Sequence, residues 1–147
     1  MSVGIEDTNL RGSCLCGGVV YQVARLDPQM AHCHCKMCRK FHGAAFATYG
    51  SVKCGDFSWL QGEQLLQEFI ADNQSTRTFC KKCGSSLTFA PSQDNGEEVE
   101  IALATLDTDI AGRPSAHIFT EFKANWHQIT DDCSKFMRGR DSQVNRD

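Results

Sequence analysis

The sequence predicts a mainly β fold of short strands with few short helical turns. Runs of six to nine residues rich in β-branched and aromatic side chains recur along the chain, and several alternate apolar with polar residues. Glycine, aspartate and asparagine separate these runs, as is typical of turns between strands. The 3.6-residue period of an amphipathic helix is weak throughout. These observations favour strands over helices.

Six segments fit this description. In chain order they are "GVVYQVA" (18–24), "AAFATYG" (44–50), "LLQEFIA" (65–71), "SSLTFAP" (85–91), "EVEIALATL" (98–106) and "HIFTEF" (117–122). Such side chains suit a pleated, half-buried surface. We expect helical turns only after Cys35 and near 107–111, and a frayed polar tail at 139–147.

The length and composition of the chain predict one globular domain over 1–147. The sequence has 147 residues, and no repeat or Pro- or Ser-rich linker divides it. Hydrophobic residues make up 41% of the chain and charged residues 22%, a balance that excludes a disordered or fibrous protein.

Charge and hydropathy limit the partners that we expect. Fifteen Lys and Arg residues stand against 18 Asp and Glu, for a net charge of −3, so nothing favours nucleic acid or an anionic membrane as a partner. The amino-terminal segment lacks a signal peptide's basic start and apolar run, and no apolar stretch approaches the ~18 residues of a membrane span. We expect a cytoplasmic protein, and the sequence leaves its oligomeric state open.

Nine cysteines in such a chain indicate metal ligands or reactive thiols rather than disulfides. Seven of them fall in three clusters, "GSCLCGG", "HCHCKMCRK" and "FCKKCGSS". The other two, Cys54 and Cys133, have no partner at a metal-ligand spacing, and we expect them to be buried or idle thiols.

The first and third clusters together predict a structural zinc site. In Cys80 and Cys83, two thiolates three positions apart can grip one ion if the chain between them turns tightly, and Gly84 suits the positive φ that follows. In Cys14 and Cys16, positions i and i+2 of an extended chain face the same way. The four thiolates would form a closed tetrahedral site.

The middle cluster supplies three more sulfurs, Cys33, Cys35 and Cys38. Three protein ligands with one open position are typical of a catalytic zinc. Two alternatives stay open at this point. An iron–sulfur cluster also takes thiolates, although it normally needs four. A histidine could complete a second structural zinc site instead, and the candidates are His32, His34 and His42.

At these residues the chain resembles the glutathione-dependent formaldehyde-activating enzyme family, also called the centromere-protein-V-like domain. The matching motifs are "GSCLCGGVVY" (12–21), "HCHCKMCRKFHGAAFATY" (32–49), "RTFCKKCGSSL" (77–87) and "HIFTEFKANW" (117–126). They lie in the family's order and cover most of 12–126.

The resemblance implies an Mss4-like zinc-containing β fold with two zinc ions. It implies structural zinc at Cys14, Cys16, Cys80 and Cys83, and catalytic zinc at Cys33, Cys35 and Cys38. It also implies carbon–sulfur lyase activity on S-(hydroxymethyl)glutathione, the adduct of formaldehyde and glutathione. Glutathione would then be the cosubstrate or ligand.

The site chemistry agrees with a small-thiol substrate. Three thiolates leave a zinc group with one net negative charge, which suits it to holding a nucleophilic thiolate more than to acting as a strong Lewis acid. Arg39 and Lys40 follow the triad and are candidates to bind the glutathione carboxylates, with Arg77 and Lys123 as further donors. The candidates for moving a proton are His32, His34 and Tyr49.

Two other classes of function remain as alternatives to the enzyme. A glutathione-binding carrier without turnover would use the same triad. A non-catalytic zinc module that binds a protein partner would need only the folded metal sites.

Overall fold

The structure is a computed structural model, and it describes residues 6–92 and 96–146. Its strands are β1 (Thr8–Ser13), β2 (Val20–Arg25), β3 (Met30–Cys33), β4 (Ala47–Lys53), β5 (Phe57–Gln61), β6 (Leu66–Ile70), β7 (Thr76–Cys80), β8 (Ser86–Ala90), β9 (Glu98–Ala102), β10 (Ala116–Ile118) and β11 (Ser134–Lys135). The α-helix α1 (Lys36–His42) and four short 3-10 turns lie between them. The prediction of a mainly β fold with few short helical turns is confirmed.

The chain divides into two compact units that are interleaved in sequence. The first contains Met1–Pro28 and Gly50–Gly112, and the second contains Gln29–Tyr49 and Arg113–Asp147. The prediction of a single domain over 1–147 stays a prediction.

The first unit contains an antiparallel sheet of order β1-β2-β5. β1 and β2 pair in the register Leu10↔Val23, and the alternating side chains of β2 bury Tyr21 and Val23 completely. The ring of Tyr21 stacks on Phe57, with centroids 5.4 Å apart, and its hydroxyl is 2.6 Å from Thr105 Oγ1. This alternation of buried and exposed positions is the reason why the segment forms a strand.

The same unit contains the antiparallel strands β6, β7, β8 and β9, in that order. Leu66 pairs with Cys80 at one end of the β6–β7 ladder. Between β7 and β8 the register shifts at Thr78/Phe79. The chain then turns between Cys80 and Ser85, where the Cys80 N–H donates to the Ser85 carbonyl at 3.0 Å. β7 therefore delivers Cys80 to a tight turn.

The second unit contains a parallel arrangement, in which β10 pairs with β3 on one side and β11 on the other. His117 lies opposite His32, and Ile118 lies opposite Cys33. The pairing continues past β3, because the His34 N–H donates to the Ile118 carbonyl at 2.9 Å. The helix α1 begins directly after this point.

Each of the six predicted strand segments overlaps a strand, although the bounds differ. The predicted segment 44–50 begins three residues before β4, and the segments 98–106 and 117–122 end in 3-10 turns. The helical turn expected after Cys35 is present as α1. The helical stretch expected near 107–111 is wrong, because Asp7 binds the backbone N–H groups of Ala111 and Gly112 and holds this segment in an irregular conformation.

Two further observations concern the tail and membranes. The tail at 139–147 was expected to be frayed, and its described part carries hydrogen bonds: the Asn145 N–H donates to the Lys135 carbonyl, and Arg140 donates to the Met30 carbonyl.

No helix within the described ranges is long and apolar enough to cross a membrane.

Candidate metal centres

The four-cysteine cluster lies in the first unit. Cys14 and Cys16 follow β1 in a turn that Gly17 closes at a φ of 77°, with its N–H donating to the Cys14 carbonyl. Cys80 ends β7, and Cys83 follows in a turn that ends at Gly84, whose φ is 80°. The positive φ expected after the second cysteine of this pair is therefore present.

The sulfurs of this cluster are spaced as one zinc ion requires. All four lie within 4.8 Å of one another, with Cys14 Sγ 3.5 Å from Cys16 Sγ and Cys16 Sγ 3.9 Å from Cys80 Sγ. Ligands about 2.3 Å from a tetrahedral zinc are about 3.8 Å apart. The Val19 N–H also points at Cys14 Sγ, at 3.2 Å. The donor set and its spacing fit a structural zinc.

Ionisation within this cluster is uneven without a cation. Burial opposes ionisation of Cys83, but hydrogen bonds from Ser85 outweigh it and lower the pKa of Cys83 to about 5. The Gly18 N–H favours the Cys16 thiolate, whereas Cys14 opposes it, and the pKa of Cys16 is raised to about 11. Four neighbouring thiolates repel one another, so a bound cation is needed before all of them ionise.

The three-cysteine cluster lies in the second unit, where β3 meets α1. Cys33 is the last residue of β3, Cys35 is the N-cap of α1, and Cys38 lies in the first turn. The Cys35 sulfur accepts a hydrogen bond from the Cys38 N–H at 3.3 Å. The strand-to-helix junction thus brings all three sulfurs within 4.8 Å of one another.

The three thiols of this triad also resist ionising together in the absence of a cation. Cys33 and Cys38 are buried, and Cys35 is half-buried. The neighbouring sulfurs of Cys35 and Cys38, together with burial, raise the pKa of Cys33. A zinc ion would remove this penalty by accepting the sulfurs as thiolates. Three sulfurs leave one tetrahedral position for another ligand.

The histidines that sequence reasoning considered as ligands have other partners. His42 Nε2 is 2.7 Å from the Tyr49 hydroxyl. His34 Nε2 is 2.8 Å from His117 Nδ1, and His32 Nδ1 is 2.7 Å from Thr48 Oγ1. None of the three belongs to the cluster of sulfurs. In the part of the chain that the structure describes, no histidine completes a second closed site with the triad.

A hydrogen-bonded chain of side chains extends from His34. His117 Nε2 lies 2.9 Å from Asp131 Oδ2, and its Nδ1 faces His34. His34 is fully buried, and its Nδ1 has no hydrogen-bond partner among the described residues. Burial and the neighbouring His117 lower the pKa of His34 to about 4, so that it is neutral at pH 7. Sequence reasoning missed His117 and Asp131.

The cations expected to bind carboxylates differ in their surroundings. Arg39 and Lys40 lie on α1; Lys40 is exposed, and the buried Nε of Arg39 has no hydrogen-bond partner in the described ranges. Arg77 is 3% exposed and lies 4.5 Å from the centroid of Phe89, which shields it from a dissolved ligand. Lys123 Nζ donates to two backbone carbonyls.

The two lone cysteines lie outside both clusters. Cys54 is exposed at the start of a 3-10 turn. Cys133 is half-buried, and its thiol donates to the Pro114 carbonyl at 3.5 Å. All nine cysteines, which fall within the described residues, are free thiols.

Comparison with known families matches residues 9–122 to the glutathione-dependent formaldehyde-activating enzymes. The matched segment contains all seven clustered cysteines. The chain belongs to this family. The family match ends before Asp131, so one residue of the hydrogen-bonded chain lies outside the matched segment.

Two individual relatives are each less than 30% identical to this chain. An uncharacterized lyase of Schizosaccharomyces pombe is 27% identical over 79 residues, which cover 54% of this chain and 56% of the relative. This chain therefore spans little more than half the length of that lyase. A protein of Halomonas elongata named "Putative glutathione-dependent formaldehyde-activating enzyme" is 28% identical over 128 residues, covering 82% of this chain and 80% of the relative.

A solved structure supports the fold of this family member. A Rhodobacter sphaeroides protein known from its crystal structure superposes with a TM-score of 0.59. The superposition covers 69% of this chain and 91% of the other, at 24% sequence identity. This likeness concerns the fold alone.

Proposed function

We propose that this protein is a zinc-dependent carbon–sulfur lyase that acts on the adduct of glutathione, or another small thiol, with formaldehyde or a similar carbonyl. Membership of the family and the names of the two relatives support this class of reaction. The reaction would occur in the cytoplasm, where glutathione is present and free thiols persist.

One observation carries the proposal: among the described residues, three sulfurs converge at the junction of β3 and α1 and no fourth protein ligand joins them. Cys33, Cys35 and Cys38 lie within 4.8 Å of one another, and the neighbouring histidines hydrogen-bond elsewhere. A zinc ion held there would keep one position for a substrate thiol and favour its ionised form. The four-cysteine cluster, a closed site, would hold a second zinc with a structural role.

The reaction itself needs little from the protein beyond placement of the thiol. The substrate sulfur, having lost its proton, attacks the carbonyl carbon, and the carbon–oxygen π electrons move to the oxygen. That oxygen takes up a proton, so the product is the hydroxymethyl thioether. Lyase action is the reverse, in which the hydroxyl loses its proton, the carbon–sulfur bond breaks and the thiol regains a proton.

Cations near the triad would orient a peptide-like thiol. Arg39 follows Cys38 directly and has a buried Nε without a partner in the described ranges, while Lys40 is exposed at the same helix end. A guanidinium can hold a carboxylate through two parallel hydrogen bonds. We therefore expect Arg39 and Lys40 to contact the glutathione carboxylates, and Arg39→Lys to weaken glutathione binding more than Lys40→Arg does.

Exchange spectroscopy by NMR tests the activity. Free formaldehyde hydrate and S-(hydroxymethyl)glutathione interconvert spontaneously, and the protein should accelerate this exchange. Cys38→Ala should abolish the acceleration, while Cys54→Ala, which removes an exposed cysteine outside both clusters, should not. Glutathione binding without acceleration would identify a carrier, and no binding at all would favour a non-catalytic zinc module. Either result would contradict the lyase proposal.

A further inference from the structure

A third group of metal-ligand side chains lies in the second unit, outside both cysteine clusters. His32, His117 and Asp131 each present a ligand atom, and these atoms lie within 4.8 Å of one another. We propose that these three residues bind one divalent first-row transition-metal ion through two imidazole nitrogens and a carboxylate. This site is additional to the two cysteine sites and does not depend on the proposed function.

The spacing of the donors suits such an ion. Nitrogen and oxygen ligands about 2.1 Å from a metal are about 3.0 Å apart in an octahedron and about 3.4 Å apart in a tetrahedron. His117 Nε2 lies 2.9 and 3.1 Å from the two carboxylate oxygens of Asp131. The rings of His32 and His117 have centroids 4.6 Å apart. Small side-chain rotations would bring the ring nitrogen of His32 to the same ion as His117 and Asp131.

Both histidines have outer partners of the kind that orient metal ligands. Metal-bound histidines usually use the second ring nitrogen in a hydrogen bond that fixes tautomer and ring position. Nδ1 of His32 is 2.7 Å from Thr48 Oγ1, and Nδ1 of His117 is 2.8 Å from His34 Nε2. In both residues this leaves Nε2 for a metal.

Position and charge also favour an ion here. β3 and β10 hold His32 opposite His117 in a parallel ladder, so the two imidazoles are fixed by the backbone. His117 is 1% exposed, whereas the Asp131 side chain is 47% exposed, which gives an ion a path from solvent. Asp131 also adds a carboxylate beside the two imidazoles, and its negative charge favours a cation.

The ligand set indicates the class of metal. Two imidazoles and one carboxylate suit zinc, iron(II) and cobalt(II), and a site without sulfur does not select copper(I). Three protein ligands leave positions for water. The cysteine clusters, by contrast, are built from soft thiolates alone, so the two kinds of site differ in metal preference.

A structural explanation competes with this proposal, and the two differ in the position of one proton. If Asp131, His117 and His34 only form a hydrogen-bonded chain, then His117 carries its proton on Nε2 and donates it to Asp131. If a metal binds, Nε2 is a ligand and the proton is on Nδ1. The tautomer of His117 therefore separates the two explanations.

The experiment is a cobalt(II) titration of the full-length protein whose cysteine sites are already loaded with zinc. Cobalt bound by thiolates gives strong near-ultraviolet charge transfer, whereas cobalt bound by nitrogen and oxygen gives only weak visible bands. We expect one added equivalent without thiolate charge transfer. Nitrogen-15 NMR of the histidines, with diamagnetic zinc in place of cobalt, should show the His117 proton moving to Nδ1.

Matched variants make the result specific. Asp131→Asn should weaken cobalt binding by more than about 100-fold, since even outer partners contribute about 10–100-fold. Thr48→Val should weaken cobalt binding by about tenfold, because Thr48 is an outer partner that orients His32. Asp132→Asn, at the exposed neighbouring carboxylate, should leave it unchanged. Melting curves check that each variant is folded. Any of three results would overturn the proposal. The Asp131 and Asp132 variants could bind cobalt equally well, the zinc-loaded protein could bind no added equivalent of cobalt, or Nε2 of His117 could stay protonated when metal is added.

Discussion

The burial of Tyr21 makes the stability of the fold depend on pH. Its ring is fully buried against Phe57 and Trp59, and its hydroxyl meets Thr105. Burial, only partly offset by the hydrogen bond with Thr105, raises the pKa of Tyr21 to about 12, from an ordinary value of 10. The folded protein therefore keeps this phenol proton where an unfolded chain would lose it.

This difference predicts a loss of stability in alkali. Between pH 10 and 12 the unfolded chain releases the proton and the folded chain keeps it, so the free energy of unfolding falls as the pH rises, by up to about 3 kcal/mol. Urea unfolding of the wild type and Tyr21→Phe at several pH values measures this. The variant, which has no hydroxyl there, should show a flatter dependence above pH 10; identical slopes would contradict the assignment.

At the scale of elements, the turn between β5 and β6 depends on one glycine. Gly62 has a φ of 83°, and a Cβ built on it would lie 2.1 Å from the carbonyl oxygen of Gly18. Backbone atoms cannot move aside as the end of a side chain can. The turn therefore needs glycine both for its conformation and for this close approach.

We expect Gly62→Ala to reduce the free energy of unfolding by on the order of 3 kcal/mol, through steric overlap and a disfavoured φ. Gly55→Ala is the control, because a Cβ there meets nothing within 4 Å. Thermal unfolding by circular dichroism compares the two. If both variants melt with the wild type, the close approach of Gly62 to Gly18 is not a real constraint.

Sequence analysis did not predict several of the strands, among them β3, β5 and β7. β3 ("MAHC") and β7 ("TRTFC") both end in candidate metal-ligand cysteines, and the cysteine spacing there is a stronger sequence signal than the strand pattern. The short strand β5 lies between turns and alternates too briefly to stand out. The helix expected near 107–111 depended on local pattern, whereas in the structure the backbone N–H groups of Ala111 and Gly112 donate to the carboxylate of the distant Asp7. Long-range contacts outweigh local preference in such cases.

At the scale of the whole molecule, the two cysteine clusters should differ in what they contribute to folding. The four-cysteine cluster joins residues that are more than sixty positions apart, and Cys80 is completely buried. The three-cysteine cluster lies within six consecutive residues. Metal bound across a long loop contributes its binding free energy to folding, whereas metal bound within a short segment constrains little of the chain.

We therefore expect Cys80→Ala to lower the melting temperature by on the order of 10 °C or more, and Cys38→Ala by only a few degrees. Metal analysis of the zinc-loaded proteins should find one zinc ion fewer in the Cys38 variant than in the wild type. Circular dichroism and atomic absorption provide both measurements. If the Cys38 variant unfolds as readily as the Cys80 variant, then the triad is structural and the lyase proposal loses its main support.

The candidate cysteine sites could be predicted from sequence, but the histidine–aspartate cluster could not. Spacing alone brings Cys33, Cys35 and Cys38 together, because ligands close in sequence must be close in space. His32 and His117 become neighbours only through the parallel pairing of β3 with β10, and Asp131 joins them from a loop. No local pattern encodes such a contact, although a histidine beginning the predicted strand at 117 was a visible signal.

The pairing of β3 with β10 also sets an order of events during synthesis of the chain. Ile118, which lies opposite Cys33, leaves the ribosome 85 residues after it. At about 5–20 residues per second this delay is roughly 4–17 s. Throughout that time β3, which ends at Cys33, lacks its neighbour β10, yet all three sulfurs of the triad are already present. A nascent chain would thus be able to capture its first zinc at the triad, before Cys80 and Cys83 have been translated.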